Sequence, residues 1–229
     1  MKKLLFLLLT AGLLVLLAAC GGTEEAGTSN AGSNTGSSSP GASNAGQTET
    51  DSEAEKKILI LYFSAQNAVD ADVVSGATPR IDDLAATAYL ANLIHEQVGG
   101  ELARISAVET YPSGYNETAD QAKKNADGDK RPAITVEADP SEYDVLFIGY
   151  PIWWYTLPME MYTFFDTYDL SGKTIIPFNT HAGSRDGGTW RTIRDIEPDA
   201  AVLDGLAVSG ESVKRSADQV GDWLAGLAW

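Results

Sequence analysis

The stretch DVLFIGYPIWWYTLP, Asp144 to Pro158, decides the fold and also raises a question about function. It begins with the apolar run Val145 to Ile148, which is typical of a strand covered on both faces in a parallel sheet. Thr156 and Pro158 then favour the start of a helix, so two tryptophans and a tyrosine fall on the loop between. Large rings on such a loop indicate either a binding surface or a plug for the edge of the sheet.

Two other apolar runs predict strands of the same kind. They are ILILYF at Ile58 to Phe63 and KTIIPF at Lys173 to Phe178. Weaker strand patterns occupy Glu101 to Ile105 and Ala201 to Val208. The sequence therefore predicts five strands.

Helical patterns separate these strands. Leu90, Ile94 and Val98 share one helix face, and a second apolar stripe runs from Val213 to Leu227. Strands that alternate with helices predict βαβ units and an α/β fold, in which helices cover both faces of a parallel sheet. The loops that follow the strands then lie along one edge of the sheet, where ligands bind in such folds.

The first twenty residues have the pattern of an export signal. Lys2 and Lys3 precede an apolar run from Leu4 to Leu17, and the small residues of LAAC end at Cys20. This pattern resembles a bacterial lipoprotein signal, which implies a signal peptide over residues 1–19 and a lipid on Cys20. The alternative is a transmembrane anchor, but a span needs about 20 apolar residues and this run is shorter. We expect an exported protein, held at the extracytoplasmic face of the membrane by its lipid alone.

Residues 20–57 predict a flexible linker after the lipidated cysteine. From Gly21 to Lys57 there is no aromatic residue and no Leu, Ile, Val or Met, so the segment cannot bury enough apolar surface to fold. The folded domain is therefore expected to cover residues 58–229.

Composition excludes several classes of function. The formal net charge of −16 disfavours nucleic acid as a partner. Cys20 is the only cysteine, which excludes disulfides within the chain, thiolate zinc sites and cysteine-ligated iron–sulfur clusters. No metal site is expected, and any redox chemistry needs another carrier.

Several catalytic motifs are excluded by spacing. SGKT at Ser171 to Thr174 resembles the end of a phosphate-binding P-loop, but position 167 is Thr instead of Gly. His95 begins no zinc-protease motif, because the second histidine is missing, and the chain contains no G-x-S-x-G. The remaining signals are hydroxyls after the first strand, aromatic rings after the third and a small polar loop after the fourth.

These signals occur in segments that resemble the flavodoxin family, in its branch with a Pro-Ile-Trp-Trp signature. The segments are ILILYFSAQN, YDVLFIGYPIWWYTLPMEMYTFFDTYDLSGKTIIPFNTHAGS and VGDWL. The resemblance implies a flavodoxin-like three-layer sandwich whose five parallel strands lie in the order 2-1-3-4-5. It also implies that FMN lies across the ends of strands 1, 3 and 4.

The resemblance further implies cofactor contacts from three loops. Phosphate contacts are expected from Ser64, Gln66 and Thr87. The ring system is expected between two groups of residues, which are Pro151, Ile152, Trp153, Trp154 and Tyr155 on one side and Thr180, His181, Ala182, Gly183 and Ser184 on the other.

The sequence departs from the family pattern at two places. The family's phosphate loop reads Ser-x-Thr-Gly-Asn-Thr, whereas Ala85 and Ala86 stand here where Gly and Asn would precede Thr87. Asp82 and Asp83 add negative charge near the expected phosphate, unless they face solvent or cap a helix. Tyr155 replaces the Gly that usually follows the tryptophan pair.

Three functions remain open on this basis. The first is an FMN-binding electron carrier that exchanges electrons with a redox partner protein or a quinone-like acceptor. The second is an FMN-dependent reductase that oxidises NAD(P)H and reduces quinones or nitro compounds, with His181 as a candidate proton donor. The third is a binding module that keeps the fold without the flavin.

Overall fold

The computed structural model describes residues 55–65, 84–112 and 114–229. The predicted signal peptide, residues 20–54 of the predicted linker, Gln66 and both Asp82 and Asp83 lie outside the described residues. The strands are β1 Ile58–Phe63, β2 Glu101–Ala107, β3 Ile134–Val136, β4 Val145–Pro151, β5 Thr174–His181, β6 Ala201–Val202 and β7 Leu206–Ser209. The helices are α1 Ala86–Val98, α2 Tyr115–Asp127, α3 Met159–Thr167, α4 Thr189–Ile196 and α5 Ala217–Ala225.

The strands form one sheet in the order β3-β2-β1-β4-β5-β6, with β7 also paired to β5. All pairings are parallel except that of β2 with β3. The four strands β2, β1, β4 and β5 follow the predicted 2-1-3-4 order. The α/β flavodoxin-like fold is confirmed.

The predicted count of five strands is wrong, because the described part of the sheet has seven. The predicted fifth strand is divided into β6 and β7, and the two pair with successive parts of β5. Gly205 lies in the break, where an added Cβ would be 2.5 Å from the carbonyl oxygen of Pro177. The seventh strand is β3, a three-residue antiparallel strand at the edge beside β2.

Helices cover both faces of the sheet. Leu61, Phe63 and Ile148 belong to the core under α2, α3 and α4, whereas Ile60, Phe147 and Phe178 belong to the core under α1 and α5. All six side chains are fully buried, and each such burial stabilises the fold by about 1.5–3 kcal/mol. The two-sided burial explains why β1 and β4 are continuously apolar.

Candidate functional site

The loops after β4 and β5 lie side by side at the carboxyl edge of the sheet. Pro151 is in register with Thr180, and the Ile152 N–H donates a hydrogen bond to the Thr180 carbonyl at 2.8 Å. The two predicted ring-contacting segments therefore begin at neighbouring backbone positions. Any ligand between them is held by two strands of one rigid sheet.

The loop after β4 contains a two-residue reverse turn. Trp153 and Thr156 exchange two backbone hydrogen bonds of 3.1 and 3.0 Å, so Trp154 and Tyr155 occupy the centre of the turn. Their φ angles are 50° and 61°, and positive φ at both centres is what a type I′ turn requires. Asn-Gly is the preferred pair in such turns. This geometry explains why a Gly is usual at the position that Tyr155 occupies here.

The two tryptophans have opposite environments. Trp153 is only 2% exposed and packs edge-on between Phe63 and Tyr111, at ring-centroid distances of 5.5 and 5.3 Å. Trp154 is 46% exposed, and its Nε1–H donates to the Ala119 carbonyl at 2.9 Å. Trp153 is therefore the plug of the sheet edge, while Trp154 is the tryptophan that can face a ligand.

A pocket of about 390 Å³ lies between the Trp-Tyr turn and the turn after β5. Its volume is within the roughly 300–1,000 Å³ of small-molecule sites. It is lined by Tyr115, Ala119, Ile152, Trp154, Tyr155, Ala182, Gly183 and Ser184. Six of these residues were predicted as cofactor contacts.

The turn after β5 is held by its histidine. The Gly183 N–H donates to His181 Nδ1 at 2.9 Å, so the neutral ring carries its proton on Nε2. Partial burial and the nearby Arg185 lower the pKa of His181 below its ordinary value. The imidazole therefore serves as a neutral hydrogen-bond acceptor that shapes the turn, and Gly183 accommodates a φ of 109° there.

Ser64 and Thr87, two of the residues predicted to bind phosphate, lie after β1 and at the beginning of α1. Ser64 directly follows β1 and is 2% exposed. Thr87 is fully buried in the first turn of α1, where its hydroxyl shares a 2.7 Å hydrogen bond with the hydroxyl of Thr180. Neither Ser64 nor Thr87 lines the 390 Å³ pocket. Pro151, Trp153 and Thr180 are buried, and they do not line it either.

The segment after β2, a loop followed by α2, supplies site residues that the sequence reasoning missed. Tyr115 and Ala119 line the pocket from α2, and Tyr111 packs against Trp153 beneath it. The closely spaced tyrosines in YPSGYNE, starting at Tyr111, were the signal available in the sequence.

Tyr111 is linked to a buried carboxyl group. Its hydroxyl donates to Glu160 Oε1 at 2.6 Å, and Glu160 is fully buried in the first turn of α3. Glu160 Oε2 has no hydrogen-bond partner among the described residues. Burial raises the pKa of Glu160, so the carboxyl group is more readily protonated than an ordinary glutamate.

Neither a cluster of metal-ligating side chains nor a membrane-spanning helix occurs among the described residues. Within residues 55–65, 84–112 and 114–229, no group of three or more His, Cys, Asp or Glu side chains is arranged to hold a metal ion. No helix in the same residues is long and apolar enough to cross a membrane.

The fold and the pocket define an α/β protein with a ligand site at the carboxyl edge of a parallel sheet. The chain belongs to the flavodoxin family, because a family model described as flavodoxin matches residues 57–227.

Solved structures of flavoproteins are similar to the chain. A protein assigned as a flavoprotein from Bacteroides uniformis is 27% identical with a TM-score of 0.58, covering 74% of this chain and 98% of its own. One from Bacteroides eggerthii is 29% identical with a TM-score of 0.53, covering 72% and 98%. A Lactobacillus acidophilus flavoprotein in complex with FMN is 21% identical with a TM-score of 0.53, covering 72% and 99%. No match to a curated protein was found.

Proposed function

We propose that the protein binds FMN without a covalent bond and carries electrons. The observation that carries this proposal is the pocket between the Trp-Tyr turn and the turn after β5, in a chain of the flavodoxin family. The FMN bound to the Lactobacillus acidophilus flavoprotein supports the choice of cofactor.

The residues present fit the ring system of FMN. Ile152 and Trp154 offer apolar and aromatic surface on one side, and the small residues Ala182 and Gly183 leave room on the other. Aromatic stacking contributes about 0.5–1.5 kcal/mol per pair beyond area burial. When bound, FMN would supply the electron transfer, and the chain's own residues supply its position and its electrostatic environment.

The charge of the chain affects the proposed carrier. With a formal net charge of −16, the protein opposes the addition of negative charge to a bound group. We therefore expect a lower reduction potential for the bound flavin than for free FMN. A redox partner protein is expected to be basic on its docking face.

One observation favours the reductase as a second candidate. Tyr115, Trp154 and Tyr155 are 49%, 46% and 75% exposed and surround the mouth of the pocket, so a planar acceptor can stack there. Steady-state oxidation of NAD(P)H with a quinone or nitro compound separates an enzyme from a carrier. If the protein binds no flavin, both redox functions are excluded. The remaining candidate is then a binding module that keeps the fold without FMN.

We also propose that the protein is exported and anchored by a lipid on Cys20. The observation is the LAAC pattern after an apolar run. Replacement of Cys20 by Ala should release the protein from the membrane fraction in cells. Retention of that variant in the membrane would contradict a lipid anchor.

The carrier proposal is tested on the FMN-loaded protein. We expect a yellow absorbance that dithionite bleaches and that a quinone-like acceptor restores, without net NAD(P)H oxidation. A bound flavin that dithionite cannot reduce, or that no acceptor can reoxidise, would contradict electron carriage.

A further inference from the structure

The carboxyl group of Glu160 is buried, and only one of its two oxygens is hydrogen-bonded. The side chain is fully buried in the first turn of α3. Its Oε1 accepts the hydrogen bond from the Tyr111 hydroxyl at 2.6 Å, whereas Oε2 has no partner among the described residues. A buried polar atom without a partner is rare in native structures, and burial disfavours an ionised carboxyl group. Oε2 is therefore the atom at which this group binds a proton.

Two short connections link Glu160 to the pocket of about 390 Å³. The ring of Tyr111 packs edge-on against Trp153 at a centroid distance of 5.3 Å, and Trp153 directly precedes Trp154, which lines the pocket. The helix α3 also begins shortly after the Trp-Tyr turn. A charge added in the pocket therefore acts on Glu160 through packed side chains, where solvent screens it little.

A second pocket brings solvent close to the Tyr111–Glu160 pair. It has a volume of about 550 Å³ and is lined by Asp120, Gln121, Lys124, Asn125 and Lys130. Asn125 is only 5% exposed, and its Nδ2 donates to the Tyr111 hydroxyl at 3.4 Å. One side chain therefore separates the pair from a surface pocket that can supply a proton.

Among the described residues, Lys130 and Glu109 are charged groups that act on the pair. Burial raises the pKa of Glu160, and the hydrogen bond from Tyr111 and the charge of Lys130 oppose this rise. Lys130 is itself paired with the exposed Glu109 at 3.0 Å. Burial, Glu160 and Glu109 all raise the pKa of Tyr111, so its hydroxyl stays protonated. Glu160 is therefore the member of the pair that titrates.

We propose that Glu160 binds a proton when FMN in the pocket is reduced and releases it when the FMN is reoxidised. This inference rests on the proposed function. Added negative charge makes the ionisation of a nearby carboxyl group less favourable. For each electron that a redox partner delivers, up to one proton passes from solvent to Glu160 Oε2, and both leave when an acceptor takes the electron. Tyr111 is a positioning residue, because its hydroxyl holds Oε1 and leaves Oε2 for the proton.

The test measures the midpoint potential of the FMN-loaded full-length chain and of its Glu160→Gln variant from about pH 5 to about pH 9. Glutamine resembles the protonated carboxyl group, so the two potentials should coincide at low pH. As the pH rises and Glu160 ionises, the potential of the unmodified chain should fall below that of the variant. Protons taken up by FMN itself are common to both proteins and cancel in the comparison. Curves that stay coincident or parallel over the whole range would overturn the inference.

Asp166→Asn is the matched control for the loss of one negative charge. Asp166 belongs to the same helix, and its side chain is 64% exposed. Because solvent and salt screen such a charge, the curve of this variant should stay parallel to that of the unmodified chain. A divergence as large as that of Glu160→Gln would contradict the inference, since net charge alone would then explain both.

Tyr111→Phe provides a second test that keeps the carboxyl group. It removes the hydrogen bond that favours the ionised form of Glu160. The steeper part of the potential curve should therefore move to higher pH, and an unchanged curve would count against the inference. This variant also decides the question if Glu160→Gln does not fold.

A readout on the flavin-free chain separates failure of the inference from failure of the proposed function. The NMR signal of the Glu160 carboxyl carbon should titrate in the flavin-free chain, and at higher pH in Tyr111→Phe. A signal that does not move over the same pH range would overturn the inference. If FMN binds and the potential curves coincide, the proton inference fails and flavin binding stands. If flavin titration shows no bound FMN, the proposed function fails and the inference fails with it.

Discussion

The hydroxyl groups of Thr87 and Thr180 lie 2.7 Å apart and share a hydrogen bond in the fully buried interior. Thr87 is in the first turn of α1 and Thr180 is near the end of β5, so the bond connects the beginning of α1 to the end of β5. The two halves of the proposed FMN site are thereby fixed relative to each other. Each hydroxyl group therefore has a structural role that does not depend on a bound ligand.

This tie is tested by a double-mutant cycle with Thr87→Val and Thr180→Val. Each single change leaves a buried hydroxyl without this partner, which should lower the free energy of unfolding by about 1–3 kcal/mol. The double variant should lose clearly less than the sum, because neither hydroxyl remains to be satisfied. Urea unfolding of the four proteins measures the coupling, and additive losses would contradict it.

Replacement of each tryptophan by Ala should give opposite results. Trp153→Ala removes a ring that is 2% exposed and packed against Phe63 and Tyr111, so it should lower the free energy of unfolding by about 3–5 kcal/mol. Trp154→Ala should keep a cooperative thermal transition and weaken FMN binding, because its half-exposed ring lines the pocket. Thermal unfolding and flavin titration of both variants check this. Unchanged FMN affinity in Trp154→Ala would mean that its ring does not stack on the flavin.

Tyr155→Gly should stabilise the protein and weaken its binding of FMN. Tyr155 has a φ of 61°, and a residue with a Cβ pays about 1–2 kcal/mol in this region. Gly removes that cost. It also makes the unfolded chain more flexible, which lowers the free energy of unfolding by about 0.4–1 kcal/mol. The expected net gain is therefore about 0–1.6 kcal/mol.

Tyr155→Phe and Tyr155→Ala are the controls for this prediction. Phe keeps both the backbone strain and the ring, so stability and FMN affinity should stay as they are. Ala keeps the strain and removes the ring, so only FMN affinity should fall. Equal unfolding temperatures for the Gly and Ala variants would show that the turn is not strained.

Stability should fall as the pH rises, in part because of Glu160. Burial raises its pKa in the folded state above the ordinary 4.5, so the folded chain binds this proton more tightly than the unfolded chain. The stabilisation from this proton is fully present below about pH 4.5. It is lost as the pH rises through the pKa that Glu160 has in the folded protein. Glu160→Gln has no such proton and should show a flatter dependence.

Urea unfolding at several pH values from 4.5 to 8 measures this difference. Burial and the neighbouring Asp169 raise the pKa of Glu197 to about 7, which gives a dependence of the same sign. Glu197 is present in both proteins, so subtracting the two curves isolates Glu160. Parallel curves would contradict a raised pKa for Glu160.

The parts of the fold that were predictable are those whose burial is two-sided and continuous. β1 and β4 are almost wholly apolar, and β5 is apolar over Ile175 to Phe178, because helices cover both of their faces. The helix α2 gave no such signal, since its buried positions are Thr118, Ala119, Ala122 and Asn125. The division of the fifth strand depends on Gly205 packing against Pro177 and Trp190, which is a tertiary contact.

The candidate site was predictable in its location and less so in its details. The sequence places the tryptophans together, but only the two-residue turn determines that Trp153 points inward and Trp154 outward. Tyr115 and Ala119 were not identified, because their place in the pocket depends on how α2 lies beside the loop after β4. Such tertiary contacts are not visible in sequence spacing.

Titration of the purified full-length chain with FMN tests the central claim most directly. We expect saturable quenching of flavin fluorescence with one FMN per chain at micromolar concentration, and a shift of the visible absorbance as the ring system enters the pocket beside Trp154. Free-flavin spectra and undiminished fluorescence throughout the micromolar range would contradict the account.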